Sequence, residues 1–168
     1  QAIVRLMKGC KPELAGGNDI SDNGNGSLMR ILPLLMHIKD KPVEDRYRII
    51  EQVSSITHRH IRSVIACFYY LEFARNILNG MNKHQAYENL KIKFPQYLYS
   101  LSIHPEEIKL FSRLLEQNIF ELDDDEIFSS GYVIHTLEAG IWCLLTTSDY
   151  KEAVLKAVNL GNDTDTTG

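Results

Sequence analysis

Residues 59–78 read RHIRSVIACFYYLEFARNIL, and this stretch decides the fold class. Its apolar residues fall on several sides of a 3.6-residue repeat, which predicts a long helix at the centre of the molecule. Asn79-Gly80 follow and supply the left-handed backbone conformation that commonly ends a helix. The same helical spacing recurs along most of the chain, without sustained period-two alternation. The sequence therefore predicts an all-α fold, an orthogonal helical bundle.

The other helices are predicted from apolar spacing and from residues that start or stop helices. One helix should begin near Leu28 with Ser27 as its cap, and Pro33 should kink or delay it. No repeat or linker divides the chain, so residues 1–168 are predicted to form one domain. Further helices are expected at about 42–55, 83–93, 106–117, 133–145 and 150–160.

Composition and charge limit the classes of partner and compartment. The chain has 18 Lys and Arg residues against 22 Asp and Glu residues, a net charge of -4, and no long basic run, so a nucleic-acid partner is not expected. Three cysteines without a CxxC pair indicate a reducing compartment, the cytoplasm. The most apolar stretches carry charged residues, so no membrane span is expected. The acidic run at 123–126 is either a cation site or, more commonly, a solvated capping loop.

A polar motif, GNDTDTTG at 161–168, follows the last expected helix. Asp163 and Asp165 are two residues apart, with the Thr166 hydroxyl beside the second. In a turn, alternate side chains can point at one centre, and oxygen ligands select hard cations such as Mg²⁺, Mn²⁺ or Ca²⁺. Two other interpretations fit the same residues. The motif is a turn that caps a helix, or it is an EF-hand loop with Asp163, Asp165, Thr167 and Gly168 at positions one, three, five and six.

A second motif, NGNGSLMR at 23–30, combines glycines with an expected helix start. Gly24 and Gly26 let backbone N–H groups crowd together and point at an anion, which predicts a diphosphate cradle. The alternative is an ordinary turn in which Ser27 caps the helix. Arg30 either pairs with phosphate or makes a structural contact.

Several segments together resemble the ADP-ribosylglycohydrolase family. Residues 130–139, SGYVIHTLEA, resemble its Gly-Tyr-Val stretch, and AVLKAVNL at 153–160 runs directly into its Asn-Asp-Thr-Asp-Thr-Thr-Gly motif. GNGSLMR at 24–30 followed by ILPL is similar to another family motif, and Thr57-His58 to its Thr-His between two helices. The order and spacing match, and the resemblance covers nearly the whole chain.

The resemblance implies a metal-dependent hydrolase that cleaves ADP-ribose from its target at the anomeric carbon of the proximal ribose. It implies that Asp163, Asp165 and Thr166 are ligands of two Mg²⁺ or Mn²⁺ ions. The substrate would be an ADP-ribosylated protein or an ADP-ribose-containing small molecule. The substrate-binding positions that it implies are Gly24, Asn25, Gly26, Ser27, His58 and Tyr132. For His58 the alternative is a helix cap, and for Tyr132 it is core packing.

Family members also carry a Gly-Asp-Ala-rich opening, a catalytic Glu and a Thr/Ser-Asp-Asp metal motif, none of which occurs in this sequence. The catalytic residue is therefore unknown, the fold is expected to be incomplete relative to the family, and the chain is expected to be cut at both ends. Three interpretations remain open. They are a hydrolase fragment that needs the missing segment for activity, a non-catalytic ADP-ribose or nucleotide-binding helical module, and an EF-hand-like calcium-binding protein.

Overall fold

Helices form the regular structure of the computed structural model, which describes residues 1–168 apart from the side chain of Thr167. Within this described chain, β pairing is confined to two isolated bridges, Gly17 with His58 and Gly24 with Tyr132. The all-α prediction is confirmed. The helices are α1 (Ala2–Met7), α2 (Leu28–Ile31), α3 (Leu35–Ile38), α4 (Val43–Ser55), α5 (Ile61–Leu78), α6 (Lys83–Ser100), α7 (Pro105–Lys109), α8 (Ser112–Leu115), α9 (Val133–Leu145), α10 (Tyr150–Asn159) and α11 (Thr164–Thr167).

Helix α5 is the centre of the bundle, as its sequence predicts. It packs against α2, α4, α6 and α9, and it ends before Gly80, whose φ of +91° is in the left-handed region. In the described part of the chain, no helix is both long and apolar enough to cross a bilayer. The largest fully buried side chains of the bundle are Trp142, Tyr69, Tyr87, Phe68, Phe73, Phe94 and Phe111.

The helix predicted at 83–93 is longer in the structure. It begins with a capping box, in which the Asn82 side chain accepts the Gln85 N–H and the Gln85 side chain accepts the Asn82 N–H. It then continues through Pro95 to Ser100. Proline in a helix interior removes one backbone hydrogen bond, but Phe94 and Leu98 on either side of it are fully buried. Burial of these side chains offsets the local preference to stop.

Two other predicted helices are interrupted. The one expected at 106–117 is split into α7 and α8, because Phe111 leaves the helical backbone conformation (φ -97°, ψ 12°) while its ring is fully buried. The one beginning at Leu28 is split into α2 and α3 by a 3₁₀ turn at Leu32–Leu34, with Pro33 at its start. The predicted disturbance at Pro33 is therefore confirmed.

The last helices follow their sequence signals closely. Helix α9 has the predicted bounds, and α10 begins after Asp149, whose carboxylate accepts the Glu152 N–H at 2.9 Å. Gly161 ends this segment with a φ of +79°. The acidic run is a capping loop, since Asp123 and Glu126 cap each other's backbone N–H groups in a 3₁₀ turn.

Helix α9 also carries a buried carboxyl group. Glu138 is 2% exposed, and the Arg113 guanidinium lies 3.5 Å from its Oε2. Burial raises the pKa of Glu138 to about 7, and Arg113 opposes this shift. Between its unfolded pKa near 4.5 and about 7, the unfolded chain loses this proton and the folded chain keeps it. The contribution of Glu138 to stability is therefore present at low pH and is lost as pH rises through this window.

Glu138→Gln should remove this pH dependence, because glutamine stays neutral. We expect the free energy of unfolding of the variant, relative to wild type, to rise between pH 4.5 and pH 7, by no more than about 3 kcal/mol. Urea denaturation at a series of pH values measures it. A difference in unfolding free energy between the two proteins that does not change with pH would contradict the raised pKa of Glu138.

Candidate functional site

The glycine motif lies beside the segment that leads into α9. Gly24 and Tyr132 form an antiparallel bridge. The Asn25 N–H donates to the Gly131 carbonyl at 3.1 Å, and the Val133 N–H donates to the Asn23 carbonyl at 2.9 Å. These backbone bonds join two motifs that are more than a hundred residues apart in sequence.

Asn25 connects the glycine motif to the carboxyl-terminal acidic turn. Its side chain is almost fully buried, and Nδ2 donates to Thr136 Oγ1 at 2.9 Å and to Asp163 Oδ2 at 2.5 Å. The Asp163 N–H donates to the Ser129 carbonyl at 3.0 Å. These contacts place the two motifs on one side of the bundle.

The loop keeps backbone donors available. Among the described residues, the N–H groups of Gly24 and Gly26 have no acceptor, and both glycines are partly exposed. Ser27 is not the predicted helix cap, since its own backbone is helical and its side chain makes no capping bond. Its fully buried hydroxyl instead accepts the Cys67 thiol at 3.5 Å. The cap prediction was wrong because the buried position of Ser27 turns its hydroxyl toward α5.

Arg30 fixes the loop from its outer side. Its Nη1 donates to the Gly26 carbonyl at 2.8 Å, and its Nη2 donates to Thr57 Oγ1 at 2.7 Å and more distantly to the Val53 carbonyl at 3.4 Å. Because a trans peptide points its C=O and N–H in opposite directions, the bond to the Gly26 carbonyl turns the Ser27 N–H away from Arg30. Arg30 thus has the structural role that the sequence left open.

His58 lies against the glycine loop. A Cβ on Gly26 would lie 2.8 Å from His58 Cε1, and one on Gly24 would lie 3.4 Å from Nε2, so glycine at position 26 is what allows the ring to approach. Burial lowers the pKa of His58, the Arg30 cation lowers it further, and Asp22 opposes them. His58 is therefore a neutral imidazole near pH 7, and it does not cap a helix. The cap of α5 is His60, whose ring accepts the Arg62 N–H.

Tyr132 stands where the glycine loop meets α9. Its ring packs edge-on against His135, with centroids 5.0 Å apart, and its side chain lies close to Arg62. Arg62 is held in turn by two bonds to the Glu107 carboxylate, at 2.7 and 3.1 Å. Tyr132 is partly buried. It therefore packs against its neighbours and also lies at the edge of the site.

The acidic turn brings only part of the predicted metal set together. Thr166 Oγ1 donates to Asp163 Oδ1 at 3.2 Å, whereas Asp165 is exposed on the helical turn α11. The described residues contain no group of three or more His, Cys, Asp or Glu side chains that could hold a metal ion. Residues two apart on a helical turn do not face each other, which separates Asp165 from Asp163.

The helical turn also disfavours an EF-hand. In an EF-hand loop the residues at positions one, three and five converge on one ion, but here Asp165 is exposed on the helical turn whereas Asp163 binds Asn25. The side chain of Thr167, position five of that loop, lies outside the described residues. Nor does the Asp163 carboxylate cap its own helix through a backbone N–H. It is turned instead toward Asn25 and Thr166.

Comparison with known proteins decides the family. The sequence model of the ADP-ribosylglycohydrolase family matches residues 1–168. The chain belongs to the ADP-ribosylglycohydrolase family. A solved chain described as an ADP-ribosylglycohydrolase-related protein complex superposes on 99% of this ADP-ribosylglycohydrolase chain with a TM-score of 0.76 and 29% identity, over 52% of its own length.

Curated relatives of this ADP-ribosylglycohydrolase chain are longer than it is. An ADP-ribosylarginine hydrolase Tri1 from Serratia proteamaculans is 30% identical over 89% of this chain and 37% of its own length, and the protein of the same name from Pseudomonas putida has the same values. The ADP-ribosyl-[dinitrogen reductase] glycohydrolase of Rhodospirillum rubrum is 25% identical over 88% of this chain and 43% of its own length. The chain therefore spans less than half the length of these relatives.

Some residues that join or support the two motifs carry no sequence signal that identifies them. Thr136 binds Asn25, and Arg62 with Glu107 supports Tyr132. The one signal in the sequence is that Thr136 follows Tyr132 by one helical turn. The Thr136 side chain therefore lies near the start of α9, where Thr136 Oγ1 is 3.4 Å from the Tyr132 carbonyl. Nothing in the spacing of Arg62 and Glu107 indicates their pairing, because they lie on different helices.

Proposed function

We propose that this chain provides the ADP-ribose-binding face and part of the metal site of a hydrolase that removes ADP-ribose from modified targets. The bond cleaved is the glycosidic bond at the anomeric carbon of the proximal ribose. The single observation that carries the proposal is the bond from Asn25 Nδ2 to Asp163 Oδ2 at 2.5 Å. It makes the glycine loop and the acidic turn one site, as a ligand whose diphosphate is joined directly to its proximal ribose requires.

The glycine loop supports binding of the diphosphate. The N–H groups of the partly exposed Gly24 and Gly26 have no acceptor in the described part of the chain, and closely spaced backbone donors attract phosphate oxygens. Helix α2 is only four residues long, so the N–H groups rather than a helix dipole provide this attraction. Gly24, Asn25 and His58 complete the proposed binding surface with Tyr132 at its edge.

The acidic turn supports a metal site in the chemistry of its donors. Asp163, Asp165 and Thr166 offer only oxygen atoms, which Mg²⁺ and Mn²⁺ prefer. In the structure, Asp163 Oδ1 and Thr166 Oγ1 are adjacent at 3.2 Å. Asp163 and Thr166 would hold the metal, and the exposed Asp165 would have to turn toward them to take part. Further ligands would still be needed to reach the six that Mg²⁺ takes. A bound ion would orient the ribose hydroxyls and stabilise developing charge.

The names of the relatives suggest which substrate to assay first. Two are named ADP-ribosylarginine hydrolases and one acts, by its name, on ADP-ribosylated dinitrogen reductase. We therefore propose an ADP-ribosylated protein, with arginine as the first linkage to test. All three cysteines are free, which supports a reducing compartment such as the cytoplasm.

Calorimetric titration with ADP-ribose in Mn²⁺ tests the proposal. We expect binding that Asp163→Ala weakens by about tenfold, because it removes an oxygen donor and the partner of Asn25. The matched control is Asp40→Ala, which removes an exposed carboxylate paired with Lys39. Release of ADP-ribose from an ADP-ribosylated arginine peptide then separates a hydrolase from a non-catalytic binding module. Absence of ADP-ribose binding by the wild-type protein would contradict both functions.

A further inference from the structure

Four residues form a closed ring of contacts on the outer side of the glycine loop. Arg30 donates to the Gly26 carbonyl and to Thr57 Oγ1. Thr57 Oγ1 lies 2.8 Å from His58 Nδ1. The His58 ring lies against Gly26, so closely that a Cβ added at Gly26 would lie 2.8 Å from Cε1. Each member is thus held by its two neighbours.

The direction of the proton in this ring follows from the chemistry of the groups. A guanidinium only donates, so the Thr57 hydroxyl oxygen accepts from Arg30 at 2.7 Å. The bound cation polarises the hydroxyl, which makes it a stronger donor and a weaker acceptor in its remaining contact, with His58 Nδ1 at 2.8 Å. Donation from Thr57 to His58 Nδ1 is therefore favoured. In a neutral imidazole that accepts at Nδ1, the proton must be on Nε2.

The Nε2 atom of the ring lies against both glycines of the loop that forms the proposed ligand site. A Cβ would lie 3.3 Å from it at Gly26 and 3.4 Å from it at Gly24. Within the part of the chain that the structure describes, Nε2 has no hydrogen-bond partner. The charged groups that face the ring are Arg30 and Asp22, and with burial they lower its pKa on balance, which keeps it neutral.

We infer that Arg30 and Thr57 are positioning residues that lock His58 as the Nε2–H tautomer, so that it presents a neutral N–H donor to an oxygen of ADP-ribose. The identity of the ligand rests on the proposed function, but the tautomer does not. A neutral donor beside unpaired backbone N–H groups adds a hydrogen bond without a charge that changes near neutral pH. The same arginine thereby holds both the Gly26 carbonyl of the loop and, through Thr57, the imidazole.

The tautomer is measured directly by long-range ¹H–¹⁵N NMR of the histidine rings at pH 8, without ligand. His58→Gln assigns the His58 signals. We expect the wild-type protein to show the Nε2–H form of His58. Thr57→Val removes the hydroxyl at nearly constant volume and should give a mixture of tautomers, whereas Thr57→Ser keeps the hydroxyl and should restore the wild-type pattern.

Arg30→Met should have a similar effect, because the Thr57 hydroxyl is then no longer polarised by a cation and accepts from His58 more readily. The matched control is Arg48→Met, which removes an exposed arginine whose partner is Asp45. ADP-ribose affinity, measured by calorimetry, should fall about three- to tenfold in Thr57→Val and in Arg30→Met. It should be unchanged in Thr57→Ser and Arg48→Met.

The outcomes separate the inference from the proposed function. An Nδ1–H tautomer in wild type, or an unchanged tautomer in a Thr57→Val protein with a native-like amide spectrum, would overturn the positioning role. If Thr57→Val lost its fold, the wild-type tautomer and Thr57→Ser would still decide the question. A locked Nε2–H tautomer in a protein that binds no ADP-ribose would leave the positioning role in place and reject the ligand.

Discussion

Gly26→Val is expected to lower ADP-ribose affinity about thirtyfold, which corresponds to about 2 kcal/mol of overpacking and displaced contacts. The first atom of the new side chain would lie 2.8 Å from His58 Cε1 and 3.3 Å from Nε2. The ring cannot move away freely, because Thr57 holds its Nδ1. Either His58 leaves its position or the loop moves away from Asp163, and both changes disrupt the proposed binding surface.

The same measurement includes two smaller changes. Gly26→Ala places only the Cβ and should have a weaker effect in the same direction. Gly140→Ala adds the same Cβ within α9, but there no other heavy atom lies within 4 Å of its position. This variant should therefore leave ADP-ribose affinity unchanged. Circular dichroism and urea denaturation would show whether each variant is folded. A folded Gly26→Val protein with wild-type affinity would reject this loop as the binding surface.

Glu72→Leu is expected to lower the free energy of unfolding by about 3–5 kcal/mol, the cost of leaving a buried charge without its partner. Glu72 on α5 accepts two hydrogen bonds from Arg46 on α4, at 2.5 and 2.7 Å, and their side chains are only 3% and 5% exposed. Arg46 also donates to the Lys41 carbonyl at 2.6 Å. A loss of this size is a large fraction of a domain's stability.

The double variant Arg46→Met/Glu72→Leu tests the cause. It removes both charges and keeps apolar volume, so most of the lost stability should return. The surface comparison is Asp45→Ala, which breaks an exposed pair with Arg48 in the same helix and should change stability by about 1 kcal/mol or less. Urea denaturation measures all four proteins. A double variant as unstable as Glu72→Leu alone would indicate lost packing rather than an unpaired charge.

The helix predictions succeeded where neighbouring residues determine the backbone. The bounds of α9 and the start of α10 at its Asp149 cap follow from local hydrogen bonds and apolar spacing. They were wrong where distant side chains compete with local preferences. Burial of Phe94 and Leu98 carries α6 past Pro95, and burial of Phe111 breaks the next helix.

The sequence by itself determined the all-α class, the central helix and the family, because helical periodicity, capping residues and ordered motifs are properties of adjacent residues. Only the tertiary structure decided which motif residues meet. Asn25 reaches Asp163 across 138 positions of sequence, while Asp165, two residues from Asp163, is left exposed. The structural role of Arg30 likewise depends on a distant residue, Thr57, whose hydroxyl accepts its hydrogen bond across 27 positions of sequence. Such contacts depend on how helices pack, since a side chain's direction and burial are fixed by the whole bundle rather than by its neighbours in the chain.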